Sequence, residues 1–340
     1  MDSLTQIALG AAVGEAALGK RVGNQAALWG AACGLLPDLD VLAGPFLSDV
    51  EKLTFHRGFS HSIVFAMLMA PLLAWLIAKI HGTKEASWRD WTKLTFLSIV
   101  THPLLDCFTN YGTQLFQPFS NYPVAFNTIF IVDQLYTLPL LIGVIAAMFY
   151  RRASNRRQWI NYLGLGLSSF YLLVTAVNKL YINSVFEAAL GKQQIAYQRY
   201  FTNPTPLNNI LWRGVVETED GFLEGLYSFF DRDEQIVFRF IANNHQFIQP
   251  FNEHREIDQL IWASRGYFCI TQRDSLLYFN DLRFGRTDLG ILQFGEYIFS
   301  FRIARDGADA GKIIVKQVSP NLRVSKELFG ILLRRIMGNS

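Results

Sequence analysis

Residues 55–81 read "FHRGFSHSIVFAMLMAPLLAWLIAKIH". The hydrocarbon core of a bilayer asks for roughly 20 consecutive apolar residues in a helix. The run from Ile63 to Ile80 comes close, with one charge, Lys79, at its far end. Its near end is crowded instead: His56, Arg57 and His61 stand within six residues of one another. Ionisable groups at the edge of a membrane segment are costly and usually functional. A purely structural helix gains nothing from that chemistry at its mouth, whereas a metal site does.

Similar runs recur through the first half of the chain. They are "NQAALWGAACGLLP" (24–37), "WTKLTFLSIVTHPLLDCF" (91–108), "IFIVDQLYTLPLLIGVIAAMFY" (129–150) and "WINYLGLGLSSFYLLVTAVNKLY" (159–181). A Gly- and Ala-rich opening, "LTQIALGAAVGEAALG" (4–19), is slightly short, and its small residues suit close helix packing. Five or six membrane segments are expected. Hydrophobic residues make up 51% of the 340, and charged residues only 17%, against about 25% in ordinary soluble proteins. Most charges lie after about Tyr181. There "IVFRFIAN", "GYFCITQ", "SLLYFND", "EYIFSFRIA" and "KIIVKQV" read as strands. "EHREIDQLIWASRG" reads as a helix ended by Gly266, and "SKELFGILLRRIMG" as a closing amphipathic helix capped by Ser325. "TNPTPLNN" (202–209) reads as a linker, and His245 and His254 as surface residues. The predicted architecture is an α-helical membrane bundle over 1–182, followed by a soluble α+β domain over 183–340.

A net charge of +3, with no basic stripe interleaved with aromatics, argues against a nucleic-acid partner. Three scattered cysteines form no disulfide framework and no thiolate metal site. No cleavable leader pattern opens the chain, so the first segment is expected to stay in the mature protein.

Basic residues set the orientation. Lys20 and Arg21, then Lys79, Lys84, Arg89 and Lys93, then Arg151, Arg152, Arg156 and Arg157 mark alternate loops. Threading the chain puts these loops on the cytoplasmic side. The opposite ends then share the outer face, and the last span carries the second domain there. Onto that face converge Asp2, Asp38 and Asp40 in "GLLPDLDVL", His56, Arg57 and His61, His102 and Asp106, and Asp133. His102 and Asp106, four apart, share a helix face. Asp38 and Asp40, two apart beside Pro37, suit an irregular turn. Gly58 permits a bend that leaves His56 in a loop and His61 on the first helical turn. Glu15, deep in an apolar segment, either pairs with a neighbouring helix or lines a cavity.

Imidazole and carboxylate without thiolate suit zinc, with manganese or iron as alternatives, in a hydrolytic site. The donors are numerous enough for one or two ions. Arg57 is placed to clamp a phosphate or carboxylate of a substrate.

The segments "MDSLTQIALGAAVGE", "GLLPDLDVL", "HRGFSHS", "HPLLDCFTNYGTQLFQPFS" and "IFIVDQLYTLPLL" resemble the YdjM/YbcI-like membrane-bound metal-dependent hydrolases, a bacterial family. The resemblance covers roughly residues 1–180. It implies a multi-span inner-membrane protein whose ligand set is Asp38, Asp40, His56, His61, His102 and Asp106, with Asp133 a further polar member. Gln6 stands where some relatives carry histidine.

The expected function is a metal-dependent hydrolase of the bacterial plasma membrane. Its substrate would be an amphiphile reached from the membrane interface, a phospholipid or other lipid-linked phosphoester. Asp133 would ligate metal or act as base, and Arg57 would steady the reacting group. The rivals are a metal-ion transporter, for which Glu15 is the main deep acidic residue, and a metal-binding scaffold without catalysis.

Overall fold

A computed structural model describes residues 1–82, 84–233, 235–273, 276–288, 295–305, 312–320 and 326–338. The chain forms two compact units, one of residues 1–43 and 55–178, the other of 44–54 and 179–340.

The first unit is helical. Its elements are α1 (Ser3–Val22), α2 (Asn24–Leu35) with a 3-10 continuation (Leu36–Phe46), α4 (Ile63–His81), α5 (Trp88–Asp106), α6 (Gln134–Met148) and α7 (Asn155–Lys192). The remaining short helix, α3 (Asp49–Phe55), lies almost wholly in the second unit. Among the described residues, three segments are long and apolar enough to cross a membrane: Asn24–Phe46, Ile63–His81 and Asn155–Lys192. α6 is apolar but shorter. α1 and α5 have 20 and 19 residues, yet Gln6 and Glu15 in one and Asp90, Lys93 and His102 in the other dilute their apolar character. Length and composition thus support three of the expected five or six membrane segments among the described residues.

Packing explains the glycines of the opening segments. At Gly10 an added Cβ would overlap the Gly30 carbonyl, and at Gly30 it would overlap the Gly10 carbonyl. The two backbones therefore approach as closely as only small residues allow. Glu15 resolves as a partner and not as a cavity lining. Its carboxylate meets the Arg157 guanidinium through two contacts of 2.6 Å, both groups buried. Arg157 also donates to Asn24 Oδ1 and to the Tyr150 carbonyl. It is therefore an interior cation and not part of a free basic loop. Removing Glu15 from any open path also takes away the transporter reading's main deep acid.

The loops themselves gather as the threading anticipates. Arg21 pairs with Asp90 at 2.6 Å, and Arg152 reaches Glu85 and the Arg21 carbonyl. These contacts place the α1–α2, α4–α5 and α6–α7 connections at one end of the unit. α7 runs on past the expected end near Tyr181 to Lys192. At 38 residues it is about 57 Å long, nearly twice a hydrocarbon core.

The second unit carries two four-stranded antiparallel sheets. One has the order β1 (Arg199–Pro204), β2 (Leu211–Glu217), β3 (Gly221–Ser228), β4 (Arg239–Ala242). The other has the order β5 (Phe268–Arg273), β6 (Leu276–Asp281), β7 (Ser300–Arg305), β8 (Ile313–Val318). The presumed linker 202–209 is instead the end of β1 and a hairpin turn. Asn208 Oδ1 closes the turn by accepting from the Ile210 and Leu211 amides, an Asx-type device. Helix α8 (Arg255–Ser264) ends at Arg265 and Gly266, both with positive φ, as its closing glycine predicts. His245 is half-buried and held in place: its ring stacks on Phe268 at 4.0 Å and Nε2 lies 3.0 Å from the Phe268 carbonyl. A closing helix, α9 (Lys326–Ile336), forms as expected, while its expected cap Ser325 lies outside the described residues. Val50 of α3 is buried against Ile248, Ile257 and Leu260, so this detour from the helical half belongs to the core of the second unit.

Candidate metal centre

The site forms at the end of the first unit remote from the basic loops, where four stretches of chain meet. Asp38 and Asp40 lie on the 3-10 continuation of α2, a more regular setting than the expected turn. His61 sits on a short 3-10 turn (Phe59–His61) just before α4, and His56 in the bend preceding it. His102 and Asp106 occupy one face of α5, which continues unbroken through Pro103. Arg57 takes a left-handed backbone, φ 60°, held by the Gln114 amide donating to its carbonyl at 3.0 Å.

Asp38, His61 and His102 each offer one atom to a common point, all within 4.8 Å of one another. The two Nε2 atoms are 3.1 Å apart. Asp38 Oδ1 lies 3.4 Å from His61 Nε2 and 3.3 Å from His102 Nε2. Asp106 Oδ2 stands 3.6 Å from both. Ligand atoms about 2.1 Å from a tetrahedral ion lie roughly 3.4 Å from each other, so this spacing matches a coordination shell.

The surrounding hydrogen bonds aim those atoms. His102 Nδ1 sits 2.6 Å from the Gly34 carbonyl and must donate to it, which leaves the Nε2 lone pair facing the centre. Ser60 Oγ donates to Asp40 Oδ2 at 2.7 Å and lies 3.0 Å from His61 Nδ1, so it can accept that ring's proton. Both Nε2 lone pairs then point at one another and at two carboxylates. That arrangement is repulsive without a shared proton or a cation. Asp106 Oδ2 is buried with no hydrogen bond, its other contact being the Arg57 guanidinium at 3.1 Å. Burial disfavours an imidazolium at His61, but hydrogen bonds to Asp38 and Asp40 and the charge of Asp106 outweigh it, and its pKa is raised. The donor set therefore fits a divalent ion, with Asp38, His61 and His102 as the core and Asp106 beside them.

The other anticipated residues sit around this core. Asp40 bridges His56 Nδ1 at 2.8 Å and Ser60, so it orients neighbours and does not face the common point. His56 is the most open of the three histidines at the site, with 29% of its side chain exposed. Arg57 is buried and committed to Asp106 and, at 2.9 Å, to Thr109 Oγ1. Asp133 is brought to none of these. It caps α6 by accepting from the Leu135 and Tyr136 amides, and its other oxygen accepts from Tyr171 at 2.9 Å. Asp2 caps α1 through Thr5. Ser60, Thr109 and the Gly34 carbonyl join the site without a signal in the sequence that singles them out. Gln6, noted there only for its position, donates to Asp106 Oδ1 at 2.9 Å and has a buried, unpartnered Oε1.

Apolar helices of membrane-crossing length and an imidazole–carboxylate cluster able to hold an ion define a membrane protein with a candidate metal centre. The model of the YdjM inner membrane protein family matches residues 1–182, and the chain belongs to that family. Among curated proteins, it is 27% identical over 180 residues to the uncharacterized protein YfhP of Bacillus subtilis, covering 51% of this chain and 53% of that one. It is 40% identical over 78 residues to the inner membrane protein YbcI of Escherichia coli, covering 23% and 43% respectively. The chain thus spans about half the length of the curated relatives it matches. No solved structure matches.

Proposed function

We propose that this protein is a metal-dependent hydrolase of the bacterial plasma membrane, acting on a phosphoester of an amphiphile such as a phospholipid or another lipid-linked compound. The observation that carries the proposal is the convergence of Asp38 Oδ1, His61 Nε2 and His102 Nε2 on one point, with the unbonded Asp106 Oδ2 beside them. These residues would hold zinc, with manganese or iron as alternatives. Such an ion lowers the pKa of bound water towards ~7 and so supplies hydroxide at neutral pH.

The chain's own groups supply the rest. Asp38 keeps 16% of its side chain exposed, the most open carboxylate of the core, which leaves that side for a substrate. Arg57 fixes Asp106 and adds positive charge, which favours an anionic phosphoester. Asp133, with both oxygens occupied, positions α6 and is not the base. Exposed Val41, Leu42, Phe55 and Phe59 flank the ligand residues along the chain, which suits a substrate with an apolar tail. By the positive-inside rule the basic-loop end faces the cytoplasm. From that end the final passage, α7, would then carry the chain to the outer side.

The test is metal content of purified protein, followed by phosphoester hydrolysis. Wild type should retain about one zinc or manganese ion per chain, and Asp38→Ala and His102→Ala should retain none. Loaded wild type should then release phosphate or headgroup from phospholipid vesicles. Metal retention equal in all three proteins would sink the site. Retention in wild type without turnover of any lipid phosphoester would leave a metal-binding scaffold.

A further inference from the structure

The C-terminal helix carries an apolar face that stays exposed among the described residues. Phe329, Leu333 and Met337, spaced by four, are 51%, 46% and 60% exposed, and Phe230 nearby is 51% exposed. An exposed helical stripe of this kind on a charged helix marks an interaction surface.

Contacts within the unit show where that stripe begins. Leu180 and Tyr181 belong to α7, one of the segments long and apolar enough to cross a membrane, and both are exposed. The Tyr181 ring stacks on Phe229 at 5.4 Å and 20°. Phe229 opens the turn after β3 that also carries Phe230 and Asp231. Asp231 takes two bonds from Arg335, at 2.6 and 2.8 Å, and Ser228 Oγ donates to the Ile336 carbonyl. The end of α9 is therefore pinned to the turn that packs on the exit of the spanning helix. Arg335 is consumed in that pin, while neighbouring Arg334 stays exposed.

We propose that α9 and Phe230 form an interfacial anchor that lies in the lipid headgroup layer of the membrane α7 crosses. Phe329, Leu333, Met337 and Phe230 would enter the acyl boundary, and Arg334 would meet lipid phosphate. Continuity with the exposed apolar end of α7, a helix long and apolar enough to cross a membrane, is what selects a bilayer surface over a protein partner. The inference is independent of the metal centre.

The experiment places nitroxide labels on the full chain in nanodiscs containing anionic phospholipid, at Leu333→Cys, Phe230→Cys and, as an aqueous control, Asp220→Cys in the exposed β2–β3 turn. The native cysteines are buried. Oxygen partitions into lipid and a nickel chelate stays in water. The logarithm of their accessibility ratio should shift to the lipid side for labels at 333 and 230 and stay on the water side at 220. Aqueous values at all three positions would overturn the anchor. So would dipolar broadening at 333 that disappears on dilution with unlabelled protein, since that would mean a second copy covers the face. A Leu333→Lys and Phe329→Lys double variant gives a further check: the label at 230 should lose its lipid signature while the label at 220 keeps its aqueous one.

Discussion

At the residue scale, the centre depends on groups that touch no ion. Ser60 holds the His61 tautomer, and partners of this kind typically contribute 10–100-fold to metal affinity. Ser60→Ala is therefore expected to weaken zinc binding by roughly 10–100-fold without unfolding the protein, read by competition with a chromophoric chelator. An unchanged affinity would mean that Asp40 alone, 3.5 Å from His61 Nδ1, suffices to orient the ring. The raised pKa of His61 fixes a sign as well. In metal-free protein, the charged ring contributes stability that is fully present below the ordinary histidine pKa and is lost as pH rises through the raised value. Metal needs the neutral ring, so its affinity climbs over the same interval. Thermal unfolding in detergent should show the chelator-treated protein losing stability with rising pH through that window while the zinc-loaded protein gains. Parallel slopes would show that His61 does not face the ion. The histidines and aspartates of the core were legible in the sequence because imidazole and carboxylate advertise themselves. The Gly34 carbonyl and the Ser60 hydroxyl were not, because a backbone oxygen has no letter and a serine has too many uses.

At the scale of elements, α1 is held to the bundle by two devices of opposite character, the close glycine approach to α2 and the Glu15–Arg157 pair to α7. Removing one member of a buried pair leaves the other charge uncompensated, at a cost of roughly 3–5 kcal/mol. Glu15→Gln is expected to destabilise in that direction but less fully, since the amide keeps one acceptor for Arg157. Arg157→Met should be the worse single change, and the Glu15→Met, Arg157→Met double variant should recover most of the loss. Melting temperatures of the detergent-solubilised proteins decide it; additive losses in the double variant would show that the two charges do not stabilise each other. The role of Glu15 is not legible in the sequence because its partner lies 142 positions away, in a run of arginines that has the pattern of a basic loop. The hairpin β1–β2 was missed for a related reason. Its prolines and asparagines are turn residues, and only the cross-strand register from Arg199 opposite Glu217 to Pro204 opposite Trp212 reveals strands on either side.

At the scale of the whole molecule, the two units are tied by more than the single passage of α7. The chain leaves the helical unit after Ala43, gives Gly44–Thr54 to the second unit, and returns at Phe55. Asp40 and His56 stand on either side of that excursion and close its base with a 2.8 Å hydrogen bond. Whatever fixes Gly44–Thr54 therefore also limits the freedom of the segments that carry Asp38 and His61. Val50 does the fixing through its burial against Ile248, Ile257 and Leu260, aided by Asp49 accepting from the Gln317 amide at 3.1 Å. Releasing a segment returns about 1–2 kcal/mol of backbone entropy per residue to it, and part of that freedom reaches the flanking ligands. Val50→Asp places a carboxylate in an apolar core and cannot stay docked. It is expected to raise hydrogen exchange across residues 44–54 and to weaken zinc binding severalfold. Lys52→Ala, which removes only a half-exposed pair with Asp49 on the same helix, should alter neither. If Val50→Asp frees the segment and zinc affinity holds, the centre is built by the helical unit alone and the detour through the second unit is only a connection.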